Sequence, residues 1–203
     1  MNTTEKIKRN GLIPYINSCS ADYTKKVIDE CIKLGIDVIK INAQHLNVLF
    51  PQYPDVSFVE EIGNTKTIEI ACGTDIEEVK KSLKDAIIET IGLRLHHIGI
   101  NTQNEEEALK VAELIELAFN KHYKIGNSSI FSGTKEIEIM KKMGRGKNGH
   151  IAFGVNDVDQ AIYFLSKLGT QFDMDSLVVK EDVKIAIYIK DEIGGFAFHL
   201  VKA

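Results

Sequence analysis

The feature that most restricts the fold is a repeat inside the second half of the chain. Residues 95–102, LHHIGINT, read as a strand. A helix capped by Asn104 follows over 105–119, with Ala108, Val111, Ala112, Ile115 and Phe119 on one face. Short strands near 122–126, 129–132 and 136–141 complete the unit. After the glycine-rich run from Gly144 to Gly149 the order begins again. GHIAFGV (149–155) is a strand, 158–168 a helix stopped by Gly169, and strands follow near 171–179, 183–190 and 195–202. The copies agree in detail: His97-Ile98-Gly99-Ile100 matches His150-Ile151-Ala152-Phe153, and Glu138-Ile139-Met140 matches His199-Leu200-Val201. Such repeats are single supersecondary units that complete their core only by stacking or pairing.

The first ninety residues alternate differently. Residues 11–17 read as a strand, 21–34 as a helix ending at Gly35, and 36–42 as a second strand. The stretch 44–64, which holds Pro51 and Pro54, reads as a loop with a short helix near 56–62. Residues 67–73 form a third strand, and a helix runs from Asp75 as N-cap, with Glu78 at N3, to about Ile91. The expected class is therefore α+β. Residues 1–92 should make a small α/β region of three βα units, and 94–203 paired βαβββ modules forming a curved, mostly antiparallel sheet.

Strand alternation sets which way the polar residues point. His97, Gly99 and Asn101 share one face, opposite Ile98 and Ile100. His150 opposes Ile151 and Phe153, Glu138 opposes Ile137 and Ile139, and His199 opposes Phe198 and Leu200. The apolar faces suit packing under helices. Three imidazoles and one carboxylate then converge on the other face, a donor set suited to one divalent transition metal at about 2.0–2.2 Å per ligand. Zn, Ni, Mn, Co and Fe all fit such donors. His96 falls on the helix-packing side by the same parity, and His45 and His122 in loops.

The strand motifs H-I-G-I, G-H-I-A-F-x-V and x-E-I-M, in duplicated βαβββ order, make residues 94–203 resemble the vicinal-oxygen-chelate, or glyoxalase-like, superfamily. That resemblance places its four metal positions on His97, Glu138, His150 and His199. It implies a metal-dependent isomerase, epimerase or lyase acting on a small oxo- or hydroxy-acid, the ion chelating two adjacent oxygens and stabilising an enediolate. His199 stands where the closing strand of that family usually carries Glu, which leaves Glu138 as the candidate catalytic base. Arg145 and Lys147, in the glycine-rich run, and Asn101 are candidate substrate contacts, since glycines let backbone amides approach an anion. A metal-free small-molecule binding module is the competing reading.

Residues 11–17, the helix to Gly35, IDVIKIN and IACGTD resemble the opening units of 2-keto-3-deoxy-6-phosphogluconate/4-hydroxy-2-oxoglutarate aldolases. Here Asn17 stands in place of that family's Arg and Lys40 in place of its catalytic Glu. The strand bearing the Schiff-base lysine is missing, so the resemblance implies a truncated remnant, and aldolase activity of that type is the third reading of function. Its open sheet edge calls for a cover by the second domain or another subunit, and a homodimer is expected.

Composition narrows the partners. Among 203 residues, 25 Lys+Arg against 29 Asp+Glu give a net charge of −4, with no Trp and no arginine-rich stripe, which argues against nucleic acid. No apolar run reaches the roughly 18 residues a membrane helix needs. The polar start, Met1-Asn2-Thr3-Thr4, is unlike a signal peptide, and the three scattered cysteines (Cys19, Cys31, Cys72) suit reduced thiols. A cytoplasmic protein facing a small molecule is expected.

Overall fold

A computed structural model describes residues 1–17, 20–41, 46–59 and 65–203. His45 and Cys19 lie outside these, as do residues 60–62 of the helix expected near 56–62. Contacts divide the chain into two compact units, Met1–Ile91 with Gln160–Gly169, and Gly92–Asp159 with Thr170–Ala203.

In the first unit, a capping box at Asn2 starts α1 (Thr3–Asn10), which ends at Gly11 with φ 65°. Strands β1 (Leu12–Ile16), β2 (Val38–Ile41), β3 (Ser57–Phe58) and β4 (Lys66–Ile70) form a parallel sheet in the order β3-β2-β1-β4. Parallel strands are covered on both faces, and β1 accordingly reads LIPYI without polar alternation. Between β1 and β2 runs α2 (Ala21–Lys33), which buries Val27, Ile28 and Cys31. After β4 comes α4 (Ile76–Ile91), burying Val79, Leu83, Ala86, Ile87 and Ile91. Among the described residues the sheet has four strands where three were expected. The extra one comes from the proline-bearing stretch, where a short α3 (Leu46–Leu49) and a 3-10 turn (Phe50–Gln52) precede β3. Residues 57–58 are extended, not helical, because parallel pairing of Val38 with Ser57 and Ile39 with Phe58 outweighs weak local preference.

The second unit is one curved eight-stranded sheet. It contains β5 (Arg94–Asn101), β6 (Tyr123–Ile125), β7 (Ser129–Ser132), β8 (Ile137–Met140), β9 (Gly149–Val155), β10 (Phe172–Lys180), β11 (Val183–Ile189) and β12 (Phe196–Lys202). Their order is β10-β11-β12-β9-β5-β8-β7-β6. The repeat is visible in this order: each module's first strand pairs parallel with its own last strand, β5 with β8 and β9 with β12. The first strands of the two copies meet antiparallel at the centre.

Helix α5 (Glu105–Phe119) begins where Asn104 accepts the Glu107 amide at 2.9 Å and ends on Asn120, with φ 54°. Its Ala108 and Ala112 pack on Ile130 and Ile139. It packs mainly on β7, β8 and β6, and on the apolar face of β5 Ile98 is 39% exposed. The second module's helix, α6 (Val158–Lys167), belongs from Gln160 onward to the first unit. There Gln160 Nε2 donates to the Arg9 carbonyl at 2.8 Å and the Tyr163 hydroxyl to the Gly35 carbonyl at 2.7 Å, while the Arg9 guanidinium lies over the Tyr163 ring. No helix among the described residues is long and apolar enough to cross a membrane.

Candidate metal centre

Two rows of cross-strand neighbours build the site. One row reads Glu138 (β8), Gly99 (β5), His150 (β9), Ala197 (β12). The other reads His97 (β5), Ala152 (β9), His199 (β12), Tyr188 (β11). Directly paired residues share a sheet face, so Gly99 separates Glu138 from His150 and Ala152 separates His97 from His199, while Tyr188 lies directly beside His199. Ala152 is fully buried between His97 and His199. Gly99 is stricter still: a methyl group there would lie 2.0 Å from His150 Cε1, so the imidazole rests on the bare backbone.

The side chains meet. His97 Nε2 lies 3.1 Å from His150 Nε2, and Glu138 Oε2 lies 3.3 Å from each. Ring centroids of His97 and His199 are 5.5 Å apart, and those of His150 and His199 5.0 Å. One nitrogen from each of these three rings falls within 4.8 Å of the others. Glu138 touches two of the three rings and takes a 2.7 Å hydrogen bond from Ser129 Oγ on its other oxygen.

Burial is deep, with His150 4% and His199 7% exposed. Neither His199 nitrogen has a hydrogen-bond partner among the described residues. A buried polar atom without a partner costs about 1–3 kcal/mol, which a coordinated ion would offset. Hydrogen bonds from His150 and then His97 hold the Glu138 carboxyl well below the usual carboxylate range. Burial, reinforced by the charges of His150 and His97, pushes the His199 imidazole down to about 3.

That shift has a measurable consequence in metal-free protein. His199 has a lower pKa folded than unfolded, where it is about 6.5, so acid favours the unfolded chain. Its contribution is complete above about pH 6.5 and is lost as pH falls toward 3. From pH 7.5 to 5 the loss should reach about 2 kcal/mol, read as a lower urea midpoint. Glu138 adds to the loss only below its ordinary range of about 4.3. The His199→Gln variant should lose much less stability between pH 7.5 and 5. An equal loss in both proteins would assign the dependence elsewhere.

No protein-family model matches the chain, and no curated protein matches it as a relative. Solved structures do. A hypothetical protein from Bacillus halodurans C-125 is 17% identical, with 55% of this chain and 94% of that one covered at a TM-score of 0.41. A Streptomyces coelicolor methylmalonyl-CoA epimerase variant in complex with 2-nitronate-propionyl-CoA is 15% identical, covering 54% and 94% at 0.39. Methylmalonyl-CoA epimerase from Mycobacterium tuberculosis is 16% identical, covering 53% and 86% at 0.38.

The other sequence candidates do not join the cluster directly. Asn101 holds the glycine-rich run: its Nδ2 donates to the Gly146 carbonyl at 2.7 Å and its Oδ1 accepts the Gly144 amide at 3.0 Å. Arg145 Nη1 donates to Asp173 Oδ2 at 2.7 Å, and the Lys147 amide faces Glu192 Oε2 at 3.4 Å. The glycines of that run serve backbone contact: a methyl on Gly149 would lie 1.9 Å from the Gly99 carbonyl oxygen, and one on Gly146 equally close to the Gly149 carbonyl oxygen.

Two residues escaped the sequence reading. Tyr188 stacks on His199 with centroids 4.6 Å apart and also carries the Arg145 guanidinium, 4.6 Å from its ring centre. Only the β11–β12 register, which pairs Tyr188 with His199, locates it. His96 does not point toward a helix-packed core. A bulge opposes Leu95 to Phe153 and His97 to Ala152, leaving His96 as the extra residue, and its Nδ1 lies 2.7 Å from His97 Nδ1. Bulges break the alternation on which the parity argument depends.

Proposed function

We propose that the chain is a metal-dependent enzyme of the vicinal-oxygen-chelate, glyoxalase-like type, catalysing isomerisation or epimerisation of a small oxo- or hydroxy-acid. The observation that carries this reading is the buried triad of His97, His150 and His199, with both His199 nitrogens unpartnered. Imidazoles packed ring against ring, with the His199 nitrogens buried, gain little from one another. They make a good ligand set for a divalent ion of the Zn, Ni, Mn, Co or Fe group. His97, His150 and His199 would hold the ion, with Glu138 as the anionic ligand.

When bound, a divalent ion supplies Lewis-acid polarisation of a substrate oxygen and stabilises negative charge developing on it. The chain's own groups hold the ion, orient the substrate and limit water. Glu138 stays ionised through neutral pH, since its oxygens are engaged by His150, His97 and Ser129. A carboxylate of such low basicity abstracts a carbon-bound proton poorly, so it serves better as ligand than as base. Arg145, exchanging Asp173 for a substrate carboxylate, would orient an anionic substrate beside Tyr188. The low exposure of His150 and His199 keeps bulk water away from the reacting face.

Two measurements test this reading. Elemental analysis of protein purified without an affinity tag should return one divalent transition metal per chain. That protein should also exchange the proton next to the carbonyl of a 2-oxo acid for deuterium in heavy water, followed by NMR. Metal at far below one equivalent, with no uptake of added metal, would leave the binding-module alternative.

A further inference from the structure

The two nitrogens of His97 face different surroundings. Nε2 looks into the cluster, 3.1 Å from His150 Nε2 and 3.3 Å from Glu138 Oε2. Nδ1 looks outward and lies 2.7 Å from His96 Nδ1. Two imidazole nitrogens at that distance are bonded only if a single proton lies between them, one ring donating and the other accepting. The backbone is arranged for this contact, because regular pairing would have put His96 and His97 on opposite faces. The bulge at His96 removes that opposition and sets the rings edge to face, 5.0 Å apart.

We propose that His96 is a positioning residue for the metal centre: its Nδ1 accepts the Nδ1 proton of His97 and so leaves His97 Nε2 bare toward the cluster. The inference rests on the metal-binding reading above for its purpose. A ligating imidazole nitrogen carries no proton, so the ring's remaining proton must sit on the other nitrogen and be received by something. In the metal-free protein the proton is free to lie on Nε2, shared with Glu138, and His96 then donates to His97 instead. Loading the ion displaces the His97 Nε2 proton to solvent, His97 takes the Nδ1 proton from His96, and His96 takes one proton from solvent on its Nε2, so the pair releases no net proton. His96 keeps its own charge neutral by holding a proton on Nε2. No other side chain among the described residues is placed by a hydrogen bond at His97 Nδ1.

The test compares Zn²⁺ affinity, by calorimetric titration of the full chain, in wild type, His96→Ala, His96→Phe, His96→Asn and His150→Ala. The Ala and Phe substitutions remove the acceptor. They should weaken Zn²⁺ binding by about 10–100-fold, the usual consequence of losing such a partner. Asn carries a polar atom near the place of Nδ1 and should restore most of the affinity. Because His96 is exposed, all three variants should melt like wild type. Long-range proton–nitrogen NMR of the Zn²⁺-loaded wild type, at about pH 8.5 and so above the ordinary imidazole range of about 6.5, should show the His97 proton on Nδ1. Wild-type affinity in both the Ala and Phe variants, or a His97 proton on Nε2 in the loaded protein, overturns the role of His96 and leaves the metal reading standing. An Asn variant as weak as Ala overturns the acceptor role. Zn²⁺ uptake in wild type no better than in His150→Ala removes the metal reading, and the proposal falls with it.

Discussion

Gly99→Ala is expected to destabilise the second unit by about 1–3 kcal/mol, the usual cost of forcing atoms into a filled site. The added methyl would meet three atoms of the His150 ring, Cε1, Nδ1 and Nε2, at 2.0–2.4 Å. Since φ at Gly99 is not positive, backbone strain contributes nothing, and the whole effect comes from the imidazole above it. A double-mutant cycle isolates that cause. In a His150→Ala background the obstructing ring is gone, so adding Gly99→Ala should cost much less than it does in wild type. Chemical denaturation of the four proteins gives the coupling, which should be on the order of 1 kcal/mol or more. Equal costs in the two backgrounds would show that Gly99 is needed for some other reason.

His150→Ala alone should abolish metal retention while leaving a cooperative unfolding transition. His150 Nε2 is the common neighbour of His97 Nε2 and Glu138 Oε2, so its loss opens the centre of the cluster. The fold should persist, because the core under α5 is built from Ala108, Ala112, Ile130 and Ile139, none of which it supports. Glu138 also loses the hydrogen bond that contributes most to its low pKa, so its carboxyl should titrate closer to the ordinary range. Elemental analysis after dialysis, together with a melting curve, checks both halves. Retention of one full equivalent of metal would exclude His150 as a ligand.

Much of this was legible in the residues alone because it depends on short-range rules. The period of two along 149–155 and the matching of His97 to His150 and Glu138 to His199 place the four polar side chains on one face before any partner strand is known. Caps at Asn104 and the helix stop at Gly35 are likewise local chemistry. The same rules were silent where a residue's neighbour comes from a distant strand. Gly99 looks like any strand glycine until β9 is paired to it and His150 lands on its Cα. Tyr188 looks like one more aromatic in β11 until its register with His199 is set. That Asn101 holds the Gly144–Gly149 run by its amide is seen only once that run turns back upon the strand.

His96 is the sharpest case. Alternation puts it opposite His97, and an extra residue in one ladder reverses that, because a bulge is a property of two strands and not of either sequence. Helix α6 is similar. Its apolar residues Val158, Ala161 and Phe164 announce a buried face, but only packing decides what buries it, and from Gln160 onward it groups with the first unit. Periodicity and repeat therefore determined the elements, their order and the face that carries the imidazoles. Register determined which atoms touch, since contacts at 2.7–3.3 Å depend on chain segments whose mutual placement no local preference encodes.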